Sequence, residues 1–442
     1  MKTLRKVIIA FFLLHNSLIN AQIVQPFAIR YQTNQKGSIT FVSNTALTCN
    51  PQTNGCTAAT GSTANSGGST LSNNNWTMQY VDMDGDATTS MSSSDSLNLP
   101  NCSEITWAGL YWCASNTNGA SSQPAGYANR NQVKFKSNGG AYQTLTADQI
   151  INSTTGYQSY FCFKNVTSIV QAAGIKARFT LGNMFCWTGG TNLAGGWTLV
   201  VVYKNTTMTD RNLTVFDGLA VVSNGNNVTV PINGFVTPLS GPVNFELGVT
   251  ALDGDRGTTG DQLSFNGVAN NYINVTDAMH VAGNSFNSTI CYNGVLTPYR
   301  VSNYNNTLGY DANIYVPNNS TLNYIGNAAT SANIRVTTSS DIIMTNVITS
   351  AIDIYQPDLR ATVSITDLNG GQVMANDILE YKIKCVNIGS DTSINTYLID
   401  TLDVRTNLVP GTLQVLSGPN AGMKTDALAD RSEEHTSELQ SR

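Results

Sequence analysis

The sequence predicts an all-β protein: a large antiparallel β-sandwich region, jelly-roll-like, followed by a truncated immunoglobulin-like β-sandwich. Three observations predict it. Asn, Thr, Ser and Gly dominate the polar positions, while strong helix formers are rare and β-branched and aromatic residues common. Short apolar runs recur from Trp76 onward, each broken by Asn, Asp, Gly or Pro, as in antiparallel sandwiches. Before residue 431 the carboxylates are aspartates except for Glu104, Glu246 and Glu380, and aspartate favours turns and oxygen-ligand loops over helices.

Residues 1–21 read as an export signal. Lys2, Arg5 and Lys6 give a positive start, residues 7–14 an apolar stretch too short to span a bilayer, and Ala21 a small residue for cleavage before Gln22. The residue directly after that point is Gln22 and not a cysteine, which argues against a bacterial lipid anchor there. An extracellular or cell-surface location is therefore expected. Residues 22–75 read as an N-terminal strand (37–43) running into a Ser/Gly/Asn-rich linker. Residues 76–355 read as the sandwich region, in one or two subdomains. Within it the runs 105–112 (ITWAGLYW) and 197–203 (WTLVVVY) are apolar on both faces, so they are expected as central strands. Residues 212–222, 228–235, 262–267 and 334–355 read as further strands. The helix candidate is 166–174, with Val166, Ile169 and Val170 on one side and Gly174 as its stop.

Gln356-Pro357-Asp358 marks a boundary. Beyond it Leu379, Tyr381, Ile383 and Cys385 alternate with Glu380, Lys382 and Lys384, which predicts a strand with one wet face. Cys385 is then expected as a buried thiol. No stretch after the signal reaches the length of a membrane helix.

The formal net charge is −5, with scattered basic residues, so the chain lacks an electrostatic footprint for nucleic acid. All eight cysteines lie beyond the signal, where an oxidising compartment favours disulfides. Cys49 and Cys56 enclose a short loop suited to a local bridge. Cys102 and Cys113 flank an extended strand that would hold them roughly 30 Å apart at about 3.3 Å per residue, so they should not pair. Cys113, Cys162 and Cys186 offer one cross-strand bridge whose partners the sequence does not assign. No C-x-x-C spacing occurs, and His280, the one histidine within 22–430, cannot complete a zinc set.

Two acidic loops are candidates for calcium. In DMDGDATTS (82–90), Asp82, Asp84 and Asp86 alternate, so a curled loop could aim three carboxylates at one hard cation. Ala87 and Ser93 stand where a regular calcium hand has glycine and a bidentate glutamate, which leaves an irregular calcium-stiffened loop or a solvated Asp/Gly turn. In LDGDRGTTGD (252–261), Asp253, Asp255 and Asp261 could ligate calcium, or Arg256 could neutralise one of them within a structural loop. Catalysis has little to build on. A Ser-His-Asp or Cys-His arrangement would rest on His280 alone, and a pair of aspartates across a cleft cannot be read from sequence. Of the five tryptophans only Trp187, beside the Gly-rich stretch 189–196, is a candidate ligand-binding aromatic; Trp107, Trp112 and Trp197 lie in core-like strands.

The segment 357–430 resembles the DUF-eleven repeat, an immunoglobulin-like module found in tandem on bacterial surface proteins. PDL (357–359), LEYKIKCVNIGSD (379–391), IDTL (399–402) and LVPGTLQVLSG (408–418) carry the resemblance. The region 76–355 is similar to the domain that precedes such repeats in large exported adhesin-like proteins, through ITWAGLYW, NRNQVKFK (129–136), GGWTLVVVYKN (195–205), RNLTVFDG (211–218), LDGDRGTTGDQLSFNG (252–267) and TLGYDANIYVP (307–317). The resemblance implies a bacterial surface location, with type nine secretion as the export route, and brings no ligand and no catalytic residue. The closing run RSEEHTSELQSR (431–442) looks like translated read-through of a sequencing adapter and is expected to be unstructured. The expected function is a non-catalytic adhesin or structural display protein acting on an extracellular glycan or protein. The alternatives are a secreted glycan-binding module and a carbohydrate-active hydrolase.

Overall fold

The computed structural model describes residues 22–65, 68–116, 124–153, 158–223, 225–268, 271–389, 393, 396, 398–418, 421–425, 432–435 and 438–441. Residues 1–21, read from sequence as an export signal, lie outside them. The chain forms two compact units, Met1–Tyr355 and Gln356–Arg442.

The backbone of the first unit is a sheet in the spatial order Val295–Leu296, Ile290–Tyr292, Tyr310–Tyr315, Phe245–Leu252, Ile343–Asp353, Asp210–Val222, Gln22–Thr45, Leu193–Lys204, Glu104–Asn116, Gln158–Asn165 and Gln149–Ser153. The strand Gln22–Thr45 joins its two halves. Residues 22–36 pair with Asp210–Val222, and residues 37–45 pair with Leu193–Lys204. Gly37 stands at the changeover, where a Cβ would lie 2.0 Å from the Tyr203 carbonyl oxygen, so the strand can pass only without a side chain.

The two halves fold face to face. Ile39, Trp107, Tyr111, Val200 and Val202 of one pack with Leu213, Val215, Val347 and Ala351 of the other. The Tyr111 hydroxyl donates to Asp217 Oδ2 at 3.1 Å, and the Thr198 and Tyr310 hydroxyls meet at 2.7 Å. Gly196 permits this approach: a Cβ on it would lie 2.5 Å from the Tyr310 ring. Each half is covered on its other face by a smaller antiparallel sheet. Ser92–Asn98, Lys176–Gly182, Gln132–Ser137 and Gln143–Thr146 bring Phe135, Phe179 and Leu181 onto Trp112, Trp197, Leu199 and Val201. Asn227–Asn233, Ser331–Thr338, Asp261–Asn266 and Ile273–Asn274 bring Val230, Phe265 and Ile334 onto Phe216, Val249 and Ile348. The unit is all-β, two sandwiches set back to back in four layers. That explains the strands that are apolar on both faces: along Leu193–Lys204, Leu199 and Val201 enter an outer core while Val200 and Val202 enter the central one. Each such side chain contributes about 1.5–3 kcal/mol when fully buried.

The helix Thr167–Ala173 follows Val166, buries Val170 and ends at Gly174 with φ 91°. Cys49 and Cys56 are bridged, with Cα atoms 5.9 Å apart. Cys102, Cys113, Cys162 and Cys186 carry free thiols, so the cross-strand bridge does not form. The stretch expected as linker is largely anchored. It forms Cys56–Gly61, Ser69–Leu71 and Asn73–Asn75, and Leu71, Ser72 and Asn73 are buried; residues 66 and 67 lie outside the described set.

In the second unit Leu359–Asp367 pairs antiparallel with Leu379–Asn387. No residue of this unit whose exposure is described is buried, and Cys385 is exposed. This corrects the expected buried thiol. Alternation buries one face of a strand only when a second sheet covers it, and the described residues supply no such cover. The closing segment departs from expectation too: Ser432–His435 pairs with Glu438–Ser441, which pairs in turn with Leu398–Asp400. A polar hairpin forms there because an open strand edge offers backbone donors and acceptors to any chain that reaches it. Among the described residues no helix is long and apolar enough to cross a membrane.

Candidate functional site

The first acidic loop lies between Met78–Tyr80 and Ser92–Asn98. Ser92 Oγ stands 2.8 Å from both Asp82 Oδ1 and Asp84 Oδ1. Asp84 Oδ2 accepts from the Tyr142 hydroxyl at 2.7 Å and from Lys136 Nζ at 2.9 Å. Asp86 turns to the Thr88 N–H at 2.8 Å. Burial alone would raise the Asp84 carboxyl, but bonds from Tyr142, Lys136 and Ser92 outweigh it and hold Asp84 well below the usual carboxylate range. Protein donors thus stand at Asp82, Asp84 and Asp86, the residues of the calcium reading. The counter-charge is Lys136, 52 residues away in sequence, and the loop is a pinned turn.

The second loop is different in kind. Asp253, Asp255 and Asp261 are all buried, and two aspartates that the sequence reading did not single out, Asp311 and Asp341, join them. Asp253 Oδ1 accepts from Asn73 Nδ2 at 3.1 Å, and Asp255 Oδ2 accepts from Ser72 Oγ at 2.7 Å. The Asp255 N–H donates to Asp341 Oδ2 at 3.1 Å. Asp261 Oδ1 accepts from the Phe286 N–H at 2.6 Å, while Asp311 Oδ1 accepts from the Asn287 and Thr289 N–H groups at 3.1 and 3.0 Å. Burial pushes Asp261 up to about 8 and Asp311 to about 7. Burial and mutual repulsion raise Asp253 and Asp341, and burial raises Asp255. Arg256 does not neutralise them by direct pairing. Its wholly buried guanidinium donates to the carbonyls of Asn305 at 2.9 Å and Ala64 at 3.4 Å. Among the described residues no three His, Cys, Asp or Glu side chains already close round one point.

His280 sits in a relay. Its Nδ1 is 2.8 Å from Asp277 Oδ1, and its Nε2 is 2.8 Å from Thr289 Oγ1, which donates to Asn287 Oδ1 at 2.7 Å. The pattern has the parts of a nucleophile relay, but His280 and Thr289 are both 0% exposed. A hydroxyl sealed from solvent meets no substrate, so the relay holds loops together.

Trp187 is corrected as a ligand platform. It is 5% exposed and packs against Phe185, Tyr127 and Tyr160 with ring centroids 5.2, 5.7 and 6.3 Å away. The Gly-rich neighbourhood that suggested a mobile loop instead lets the backbone fold this indole into the first outer core. An open depression of about 420 Å³ lies beside the helix, lined by Ser137, Asn138, Gln143, Ser168, Ile169, Ala172 and Ala173, none of which ionises. The depression therefore carries no group capable of proton transfer. Compared with family models and with curated proteins, the chain matches none.

Proposed function

We propose that this chain is an exported, non-catalytic surface protein in which residues 22–355 form a rigid head for adhesion or structural display. The observation that carries this reading is where the reactive chemistry lies: Asp253, Asp255, Asp261 and Asp311, with His280 and Thr289 of the relay, are buried inside a four-layer β body. A hydrolase needs converging carboxylates open to substrate. The Cys49–Cys56 bridge supports export, since such bridges persist in oxidising compartments. The resemblance of 357–430 to an immunoglobulin-like repeat supports a spacer role for the second unit. Calcium, if it contributes, does so as a structural ion. A glycan-binding module remains the second reading.

The test is retention of bead-bound full-length protein on arrays of glycans and extracellular proteins, with the same protein assayed for polysaccharide hydrolysis. Retention without turnover supports the proposal, and selective retention on one glycan class moves it to the second reading. Hydrolysis that disappears on substituting one aspartate overturns it.

A further inference from the structure

The buried acidic cluster has more acceptor oxygens than donors. Asp261 Oδ2 and Asp311 Oδ2 have no hydrogen-bond partner, and neither do the side-chain oxygens of Asn73 and Asn284. All four residues are 0% exposed. Buried acceptors without donors are costly, and a row of them on adjacent loops is rare unless positive charge sits among them. Asn73 points to the same conclusion independently of the acids. Its Nδ2 reaches Asp253 Oδ1, so its amide faces the cluster, yet its oxygen meets no donor.

The geometry narrows the place. Asp261 and Asp311 are clamped by their Oδ1 atoms to consecutive backbone amides, Phe286 and Asn287, which leaves both Oδ2 atoms unclaimed. The point where a Cβ would stand on Gly254 is 2.4 Å from Asp311 Oδ2 and 2.7 Å from both the Phe286 carbonyl oxygen and its Cβ, so these two oxygens close on one point beside Gly254 and leave no room for a side chain there. Asp341, with Asp253 and Asp255 near it, adds further carboxyls close to Asp261, and Arg256 acts on Asp311 only through space: it turns two N–H groups to carbonyls and leaves its Nε without a hydrogen-bond partner. The available donors are carboxylate, amide and carbonyl oxygens on irregular loops, without sulfur or imidazole. That set suits a hard cation of calcium size, which tolerates irregular oxygen cages.

We propose that one divalent cation of the calcium class is held between Asp261 and Asp311, with the Phe286 carbonyl completing its protein ligands, and that it locks the loops 253–261, 284–289 and 307–311 together. This moves the metal expectation from the exposed loop 82–90 and from the original trio Asp253, Asp255 and Asp261 to a pair that the fold assembles. The inference stands whether or not the head is an adhesin.

The experiment uses the full chain, purified without chelator. Elemental and native mass spectrometry count bound metal, and thermal unfolding is followed with millimolar calcium and with chelator. One divalent ion per chain is expected, with a melting temperature roughly 5 °C or more higher at a hundredfold excess of calcium over its dissociation constant. Asp261→Asn and Asp311→Asn should each abolish the calcium shift, and Asp84→Asn should keep it. A parent chain that carries no divalent ion, and whose melting ignores both calcium and chelator, overturns the proposal and leaves the cluster as neutral acids sharing protons. Should the two variants fail to fold, the metal count of the parent decides alone.

Discussion

Arg211 offers the sharpest test of how the central layers are held. Its guanidinium reaches Glu246 Oε1 at 2.6 Å and Asp353 Oδ1 at 2.9 Å. Glu246 Oε2 also accepts from Ser38 Oγ at 3.0 Å, and Asp353 Oδ2 accepts from the Asn244 backbone and side chain at 3.0 and 2.9 Å. One side chain therefore ties together Gln22–Thr45, Asp210–Val222, Phe245–Leu252 and Ile343–Asp353. Burial works against the Arg211 charge, but Glu246 and Asp353 outweigh it and raise its pKa. Both carboxylates are less than a tenth exposed, so Arg211→Met leaves two charges out of water with neutral donors but no counter-charge. Breaking such a buried pair from one side costs about 3–5 kcal/mol. At roughly 2–3 °C per kcal/mol for a unit of this size, the melting temperature should fall by about 6–15 °C. Arg211→Lys should lose part of this, since an ammonium cannot fork to both partners. Removing the carboxylates as well, in Arg211→Met/Glu246→Met/Asp353→Asn, should recover much of the loss. Circular dichroism melts and urea unfolding of the full chain measure all three. A loss below about 1 kcal/mol in Arg211→Met would show the carboxylates to be solvated and the network peripheral.

Three further outcomes follow from named contacts. Gly196→Ala should destabilise the first unit by about 1–3 kcal/mol in urea unfolding, because the new methyl meets the buried Tyr310 ring where the two halves touch; an unchanged midpoint would mean the halves are not in contact. Asp84→Asn should cost about 1 kcal/mol at neutral pH. Because the folded-state pKa of Asp84 is depressed, its stabilisation is present above the ordinary carboxylate range and disappears as pH falls through and below it. Parent and variant melts should therefore draw together as pH falls below about 4, the unfolded value, and meet only below the depressed folded value; a difference that stays constant through the acid range to the lowest pH at which the chain folds would refute the pairing. Limited proteolysis should cut beyond Gln356 before it attacks the first unit, since no residue there whose exposure is described is buried; equal resistance of both units would contradict this.

What the sequence reveals, and what it hides, divides by range. The runs 105–112 and 197–203 announce central strands because their apolar residues fall on both faces, and the structure places them in Glu104–Asn116 and Leu193–Lys204. The helix at 166–174 and the Cys49–Cys56 bridge are equally local, one set by a glycine stop and the other by a short loop. The doubling of the sandwich is not local. It depends on Gln22–Thr45 leaving one half and entering the other at Gly37, and no periodicity marks such a transfer. The surroundings of the acidic loops are hidden for the same reason. Asp84 finds Lys136 across 52 residues, and Asp261 meets Asp311 only because the loop after Asp277 folds back over both. Trp187 and Cys385 show the opposite error. Each was placed from its neighbours in sequence, whereas burial depends on which sheet arrives to cover it, and a sheet covers Trp187 but not Cys385.

The claim that organises these observations is that the head works outside the cell. Antibodies raised against the full chain should label intact, unpermeabilised cells that make the protein, or recover it from their medium. Brief protease treatment of those intact cells should remove the surface label. Labelling that appears only after permeabilisation, with the protein protected from external protease, would contradict export and with it the display function.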